Sequence, residues 1–289
     1  MITRINNKYF KNSVKINDSR KIKILDEKFK QLKIPPGYIR VDINPTSKSI
    51  IAKCIDSAKR KQYIYHPDFI NKQKKLKYCN LITFGNKLST IRRQLNNDIK
   101  SNDQKQALIA TVLKVILECN FRIGNEKYQK MYNSVGISTI GNKHLNGRHI
   151  KFIGKKGVVN NCTLTDTNLV KILNNLKHKK SKHIFSHQGS RITAEHVNNY
   201  LQQFGNFTTK YFRTWAANIE FIKTVNNKVL DKKGIKNAIN QVAIKLNHTP
   251  AVCKKSYIYS DLIINAQCGR IKTNNPQQYF ISYMKTQCS

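Results

Sequence analysis

Acidic residues are scarce in this chain of 289 residues: 15 Asp and Glu stand against 53 Lys and Arg, for a formal net charge of +38. The few carboxylates are scattered, with only Asp26 and Glu27 adjacent. Metal-dependent nucleases and polymerases need clustered carboxylates to hold Mg²⁺, so that mechanism is disfavoured. Long apolar runs are missing too. The most hydrophobic stretch, ALIATVLKVILEC, is broken by Lys114 well short of membrane-spanning length, and the opening MITRINNKYFKN is too polar for a signal peptide. A soluble, intracellular protein without a membrane partner is expected. The seven cysteines, Cys54, Cys79, Cys119, Cys162, Cys253, Cys268 and Cys288, form no CxxC pair and have no regular spacing. That pattern is read as reduced thiols. The segment IGKKG lacks the rest of a P-loop: His149 stands where the first glycine belongs, and no Ser or Thr follows the lysine. His178, His183 and His187 lie in the basic run KHKKSKHIFSH without Cys or carboxylate neighbours, which favours a solvated surface over a zinc site. No metal, nucleotide or other cofactor is expected.

What the chain has in abundance is positive charge, and a polyanion is the natural partner. A genome biased toward Lys, Asn and Ile codons would inflate lysine, but it would not deplete acids to this degree. No basic amphipathic helix with an aromatic or leucine face is long enough to lie in a membrane interface, which favours nucleic acid over membrane. The first 71 residues hold short alternating segments, Pro35 and Pro36 in sequence, and Tyr63, Ile64 and Tyr65 in strand-like alternation. Beyond them helical spacing dominates. Leu108, Val112, Val115, Ile116 and Cys119 predict a buried helix over 104–120 behind the capping candidates Asn102 and Asp103. Further core stripes run through Val197, Leu201 and Phe204, through Phe212, Trp215, Ala216, Ile219 and Ile222, and through Ile235, Ile239, Val242, Ala243 and Leu246. One β signal interrupts them: HIKFIGKKGVVNNCTL reads as a hairpin with Lys155 at its tip. The expected fold class is α+β, with a small β-rich N-terminal domain (1–72), a larger, mainly helical domain with a small antiparallel hairpin (73–289), and a charged linker over 71–77.

With no clustered carboxylates, the available chemistry rests on Tyr, Arg, Lys and His. Cleaving a phosphodiester without metal requires a nucleophile, positive donors for the developing charge, and a proton for the leaving oxygen. In LNHTPAVCKKSYIYS, Thr249 and Pro250 start a helix just after His248. On one continuous wheel, Val252, Ser256, Tyr259, Ile263 and Ala266 share a core-facing direction, while Tyr257 points about 140° away from Val252. Tyr259 therefore belongs to the core and Tyr257 does not; an off-core tyrosine is by itself usually a surface residue, and its cationic neighbours make Tyr257 the candidate nucleophile. A free phenol has a pKa near 10, so only about one in a thousand is ionised at neutral pH and neighbouring cations must favour the phenolate. Arg122, after the long buried helix, and Arg213, beside core residue Phe212, are candidates for bidentate phosphate contacts. His248 is a candidate donor to a phosphate oxygen. Taken singly, each has an ordinary alternative as a surface arginine or a turn histidine.

The segments LKIPPGY, KRKQYIYHP, FRIGNEKY, FIGKKG, KYFRTWAANIEF and NHTPAVCKKSY occur in this order from about residue 32 to 260. Together they resemble the type IB DNA topoisomerases, most closely the small poxvirus-like and bacterial branch. The resemblance implies the topoisomerase IB and tyrosine recombinase catalytic fold. It also implies that Tyr257 attacks a DNA phosphodiester to give a 3′-phosphotyrosyl bond, with Arg122, Arg213 and His248 on the nonbridging oxygens. Lys155 would be the general acid for the 5′ oxygen, with Lys156 beside it as a second candidate, and Lys210 would support the site. Arg60, Gln62, Tyr63, Tyr65 and Tyr128 would contact double-stranded DNA held between two half-clamps. A monomer acting at intracellular DNA is implied, with no small-molecule substrate. The composition and branch also suit a large DNA virus, which would add the virion as a location.

Two other readings are compatible with the residues alone. A tyrosine recombinase uses the same four residue types, but typically places His where Lys210 stands. A non-catalytic basic DNA-packaging protein would account for the charge without any site.

Overall fold

The computed structural model describes residues 2–44, 46–177 and 182–288. His178 lies outside them. The fold is α+β, as expected from the patterning, and the chain divides into two compact units, Met1–Lys77 and Tyr78–Ser289.

In the first unit β1 (Ile2–Ile5), β2 (Lys8–Lys11) and β3 (Val14–Lys15) precede the helix α1 (Ser19–Gln31). β4 (Arg40–Ile43), β5 (Ile50–Ile55) and β6 (Lys61–Tyr65) follow it. All neighbours pair antiparallel, in the order β3-β2-β1-β4-β5-β6. Alternation along β4 buries Val41 and Ile43 against Leu25 and Phe29 of α1, with Tyr9 edge-on to Phe29 at 5.3 Å between ring centroids. Helix α1 was not anticipated from the sequence. Its start is marked by Asp18, whose side chain accepts from the Arg20 and Lys21 amides, but its two buried residues are diluted among lysines.

The helix α2 (Pro67–Asp98) begins near the end of the first unit and continues into the second. Residues 71–77, read from their charge as a linker, are therefore helical. Lys, Gln and Leu are good helix formers, and no Gly or Pro interrupts them. There follow α3 (Gln104–Cys119), α4 (Glu126–Tyr132), β7 (Leu145–Asn146), β8 (His149–Ile153), β9 (Val159–Thr163), α5 (Thr167–Lys177), β10 (Ser186–His187) and β11 (Ser190–Arg191). The chain ends with α6 (Ala194–Leu201), α7 (Thr209–Val225), α8 (Lys232–Lys245), α9 (Pro250–Ser256), α10 (Ser260–Gln267) and α11 (Pro276–Cys288). The strands form a small sheet β7-β8-β9 and a separate pair β10-β11.

Helix α3 is capped by Asp103 and buried along most of its length, and it packs against α5, α6 and α7. Phe84 of α2 sits among Phe207, Tyr211, Phe212 and Trp215 with ring centroids 5.0–6.2 Å away. Gly85 permits that approach, because a Cβ there would lie 2.3 Å from the Trp215 ring. Two disulfides correct the expectation of reduced thiols. Cys79–Cys288 joins α2 to α11, and Cys119–Cys162 joins the end of α3 to β9. Their partners lie 209 and 43 residues apart in sequence, so spacing gave no sign of them. Cys54, Cys253 and Cys268 are free thiols.

Candidate active site

Arg122 is delivered by the end of α3. Asn120 terminates that helix in the left-handed conformation (φ 54°) and Phe121 is buried, so the next side chain is fixed in direction. The Arg122 and Ile123 carbonyls accept from the Ile137 and Ser138 amides at 2.9 and 2.7 Å. Gly124 (φ +87°) and Gly136 touch backbone to backbone, and a Cβ on Gly136 would lie 2.3 Å from the Gly124 Cα. The glycine of FRIG is thus required by a chain crossing.

Arg213 lies on α7 and is only 2% exposed. Its Nη2 donates to the Leu246 carbonyl at 2.8 Å, and its Cζ lies 5.6 Å from the centre of the Tyr257 ring. Among the described residues, its Nε and Nη1 have no hydrogen-bond partner. Burial pushes the guanidinium down to about 10, partly countered by attraction to the Tyr257 phenol, and at neutral pH it remains a cation. A buried cation with two unsatisfied donors costs about 1–3 kcal/mol per group, so this arrangement is poorly explained by stability and well suited to an oxyanion.

His248 follows the turn after α8, with its amide donating to the Ala243 carbonyl at 2.8 Å. Arg122 Nη2 contacts Nε2 of the imidazole and lies 3.4 Å from Nδ1. Burial, then the charges of Arg122, Arg213 and Lys155, push the imidazole down to about 3, so it is neutral at physiological pH. Its ring centroid lies 4.8 Å from that of Tyr257.

Tyr257 is 7% exposed, which corrects the wheel argument made from the sequence. The wheel assumed one helix through 252–266, but α9 ends at Ser256 and α10 begins at Ser260. The phenol therefore lies between Arg213 and His248, while Tyr259 is part-buried with its ring 4.9 Å from Tyr78. Lys155 and Lys156 are exposed in the turn between β8 and β9, Lys156 with φ +62°. Of the two, Lys155 contributes to the field that depresses His248. Lys210 is exposed on the first turn of α7, three residues before Arg213 and so on a neighbouring face of the helix. The structure thus brings Arg122, Arg213, His248 and Tyr257 together, with Lys155 near enough for its charge to act on His248 and Lys210 exposed one helical turn before Arg213.

The remaining candidates are surface residues. Gln62, Tyr63 and Tyr65 are exposed on β6, and Tyr65 stacks on Phe69 at 5.3 Å. Arg60 is also exposed and bonds Asp56 through its amide and its Nε, at 2.9 and 2.8 Å. Tyr128 is exposed on α4 and stacked on Tyr132 at 6.1 Å. His183 is part-buried and contacts the Thr139 carbonyl, whereas His187 is near Gln104.

Two residues at the site were missed. Asn218 of α7 is fully buried, donates to the Tyr257 carbonyl at 3.0 Å and accepts from the Tyr259 amide at 2.8 Å. Its signal was available: a polar residue inside the apolar stripe of KYFRTWAANIEF. Tyr78 donates to the Ile258 carbonyl at 3.0 Å, and nothing in its local sequence announces that contact. Together they satisfy the Tyr257 and Ile258 carbonyls and the Tyr259 amide in the break between α9 and α10.

The family model "Eukaryotic DNA topoisomerase I, catalytic core" matches residues 57–278. The chain is 28% identical over 286 residues to a DNA topoisomerase 1B of Acanthamoeba polyphaga mimivirus, covering 89% of this chain and 82% of that protein. A DNA topoisomerase 1 of rabbit fibroma virus is 26% identical over 256 residues, with 82% and 80% covered. A DNA topoisomerase I of monkeypox virus is 29% identical over 224 residues, with 72% and 69% covered.

Proposed function

Because this chain belongs to the topoisomerase I catalytic-core family, we propose that it is a type IB enzyme of the small poxvirus-like branch, which relaxes supercoiled duplex DNA through a transient 3′-phosphotyrosyl bond. The observation that carries this reading is the buried Arg213 guanidinium, with two unsatisfied nitrogens, directly over the Tyr257 ring and near His248.

The Tyr257 oxygen attacks phosphorus while the phenol's proton passes to water. Negative charge grows on the nonbridging oxygens, where Arg213 and Arg122 donate charge-assisted hydrogen bonds and neutral His248 donates a third. Preorganised donors of this kind are each worth about 2.7–4 kcal/mol in the transition state. The bond from phosphorus to the 5′ oxygen breaks, and that oxygen takes a proton from Lys155 Nζ. Lys155 is favoured over Lys156 because its charge is felt at His248. Lys210 supports the same phosphate from the α7 turn. The 5′ strand rotates, then attacks the phosphotyrosine and restores the phosphodiester. The energy of the broken bond is conserved in the adduct, so the cycle requires neither ATP nor a metal.

The DNA is gripped chiefly through its phosphates, which suits the charge of +38. Arg60, Gln62, Tyr63 and Tyr65 supply groove contacts from the N-terminal unit and Tyr128 from the catalytic unit. The enzyme works as a monomer on intracellular DNA, and in a virus also in the virion. Incubation with supercoiled plasmid in EDTA, without nucleotide, tests the reading: relaxation is expected, whereas DNA binding with no change in linking number would refute it.

A further inference from the structure

Deepening the functional reading above, on which it rests, we propose that Asn247 is a positioning residue that ties the Lys155 hairpin to the His248 turn. Asn247 closes α8 in the left-handed conformation (φ 51°), with its amide donating to the Ile244 carbonyl at 3.0 Å. Its side chain does something a turn residue need not do: Oδ1 accepts from the Asn161 amide of β9 at 2.9 Å, across 86 residues of sequence. β9 is an edge strand, so this N–H is satisfied outside the sheet by a single side chain.

The neighbours of Asn161 show what the bond accomplishes. Asn160 is buried, and its side-chain Nδ2 donates to the Val158 carbonyl at 2.9 Å, shaping the tip; a Cβ on Gly154 would collide with that nitrogen at 2.3 Å. On the other side Cys162 is bonded to Cys119, three residues before Arg122. The strand returning from Lys155 is therefore fixed at three successive residues: to its own tip, to the His248 turn and to the helix that delivers Arg122. Of these anchors, Asn247 is the one next in sequence to the imidazole. Lys155 itself is exposed.

A general acid must come within hydrogen-bond reach of the leaving oxygen, and a misplacement of about 1 Å costs on the order of 10²-fold. Loss of the Asn247 bond should thus impair proton delivery to the 5′ oxygen while leaving attack by Tyr257 intact. Glycine adopts a left-handed conformation without steric cost, so Asn247→Gly keeps the turn and removes only the acceptor. Asn247→Asp retains the acceptor.

The test is single-turnover cleavage of two DNA substrates, one with the ordinary 5′ oxygen and one with a 5′-bridging sulfur, whose departure needs little protonation. Asn247→Gly should be slowed about tenfold or more on the oxygen substrate and by less than about twofold on the sulfur substrate. Asn247→Asp should recover most of the lost rate. Hydrogen exchange of the Asn161 amide should accelerate in the glycine variant and not in the aspartate variant. An active wild-type protein whose glycine variant cleaves both substrates normally, or loses equally on both, would overturn this proposal alone. A wild-type protein that cleaves neither substrate would overturn the functional reading and this proposal with it.

Discussion

The surroundings of Tyr257 and the tip of the β8–β9 hairpin are built on opposite principles. Around the phenol the structure is braced and largely buried: Arg213 is bonded to Leu246, Asn218 grips the backbone on both sides of Ile258, and Tyr78 holds the carbonyl between, while Arg122 and His248 are half-buried beside them. At the hairpin tip Lys155 and Lys156 are exposed on a short turn. Groups that stabilise charge on phosphate act best when they need not reorganise, and a low-polarity surrounding strengthens them. A proton donor must instead meet an oxygen that arrives with the substrate. On the proposed reading, the first task falls to buried groups and the second to an exposed lysine on a short turn whose returning strand is anchored behind it.

Breaking the braced half should do most damage. Tyr257→Phe should abolish covalent capture of DNA on a denaturing gel, while Tyr259→Phe should retain it. Next, Arg213→Met should lower the single-turnover cleavage rate about 10²- to 10³-fold. Because it replaces a buried guanidinium lacking two partners with an apolar side chain of similar length, it should also raise the thermal midpoint by the equivalent of roughly 1–3 kcal/mol. A variant that is both inactive and less stable would show that Arg213 is a structural cation. At the exposed half, Lys155→Ala should lose about 10²-fold or more on an oxygen leaving group, recover on a bridging sulfur, and leave the melting temperature unchanged.

The smallest effect concerns pH. The imidazole of His248 is held down to about 3 in the folded chain, against an ordinary value of 6.5. Between those values the unfolded state binds more protons, so folding is favoured at the upper end and loses stability as pH falls from about 6.5 toward 3. Burial shifts His144 and His183 in the same direction, so the individual contribution must come from a difference. His248→Asn should flatten the acid limb of a melting-temperature profile relative to the wild type. Parallel profiles would mean that the imidazole is not held neutral.

Much of this is legible in the amino-acid sequence. The helix that leads to Arg122 and the helix that carries Arg213 follow from apolar spacing, and the hairpin follows from alternation around two glycines. The four residue types of the site stand out because so little else in the sequence can do chemistry. What was hidden is instructive. Nothing marks a break after Ser256, since neither Gly nor Pro occurs there. The break coincides with Asn218 and Tyr78, distant by 39 and 180 residues, which take over the backbone groups of residues 257–259. Tertiary bonds thus override local helical preference, and the wheel that put Tyr257 on the surface failed for that reason. The disulfides escaped notice similarly, because pairing depends on where α2, α3, β9 and α11 meet in space.

The most direct measurement is the identity of the residue that carries DNA. A substrate whose 5′ strand diffuses away after cleavage would be incubated with the protein in EDTA, and the adduct digested and read by mass spectrometry. A 3′-phosphate esterified to Tyr257 is the expected product. Attachment to any other residue, or no adduct at all, would contradict a phenol activated by Arg122, Arg213 and His248.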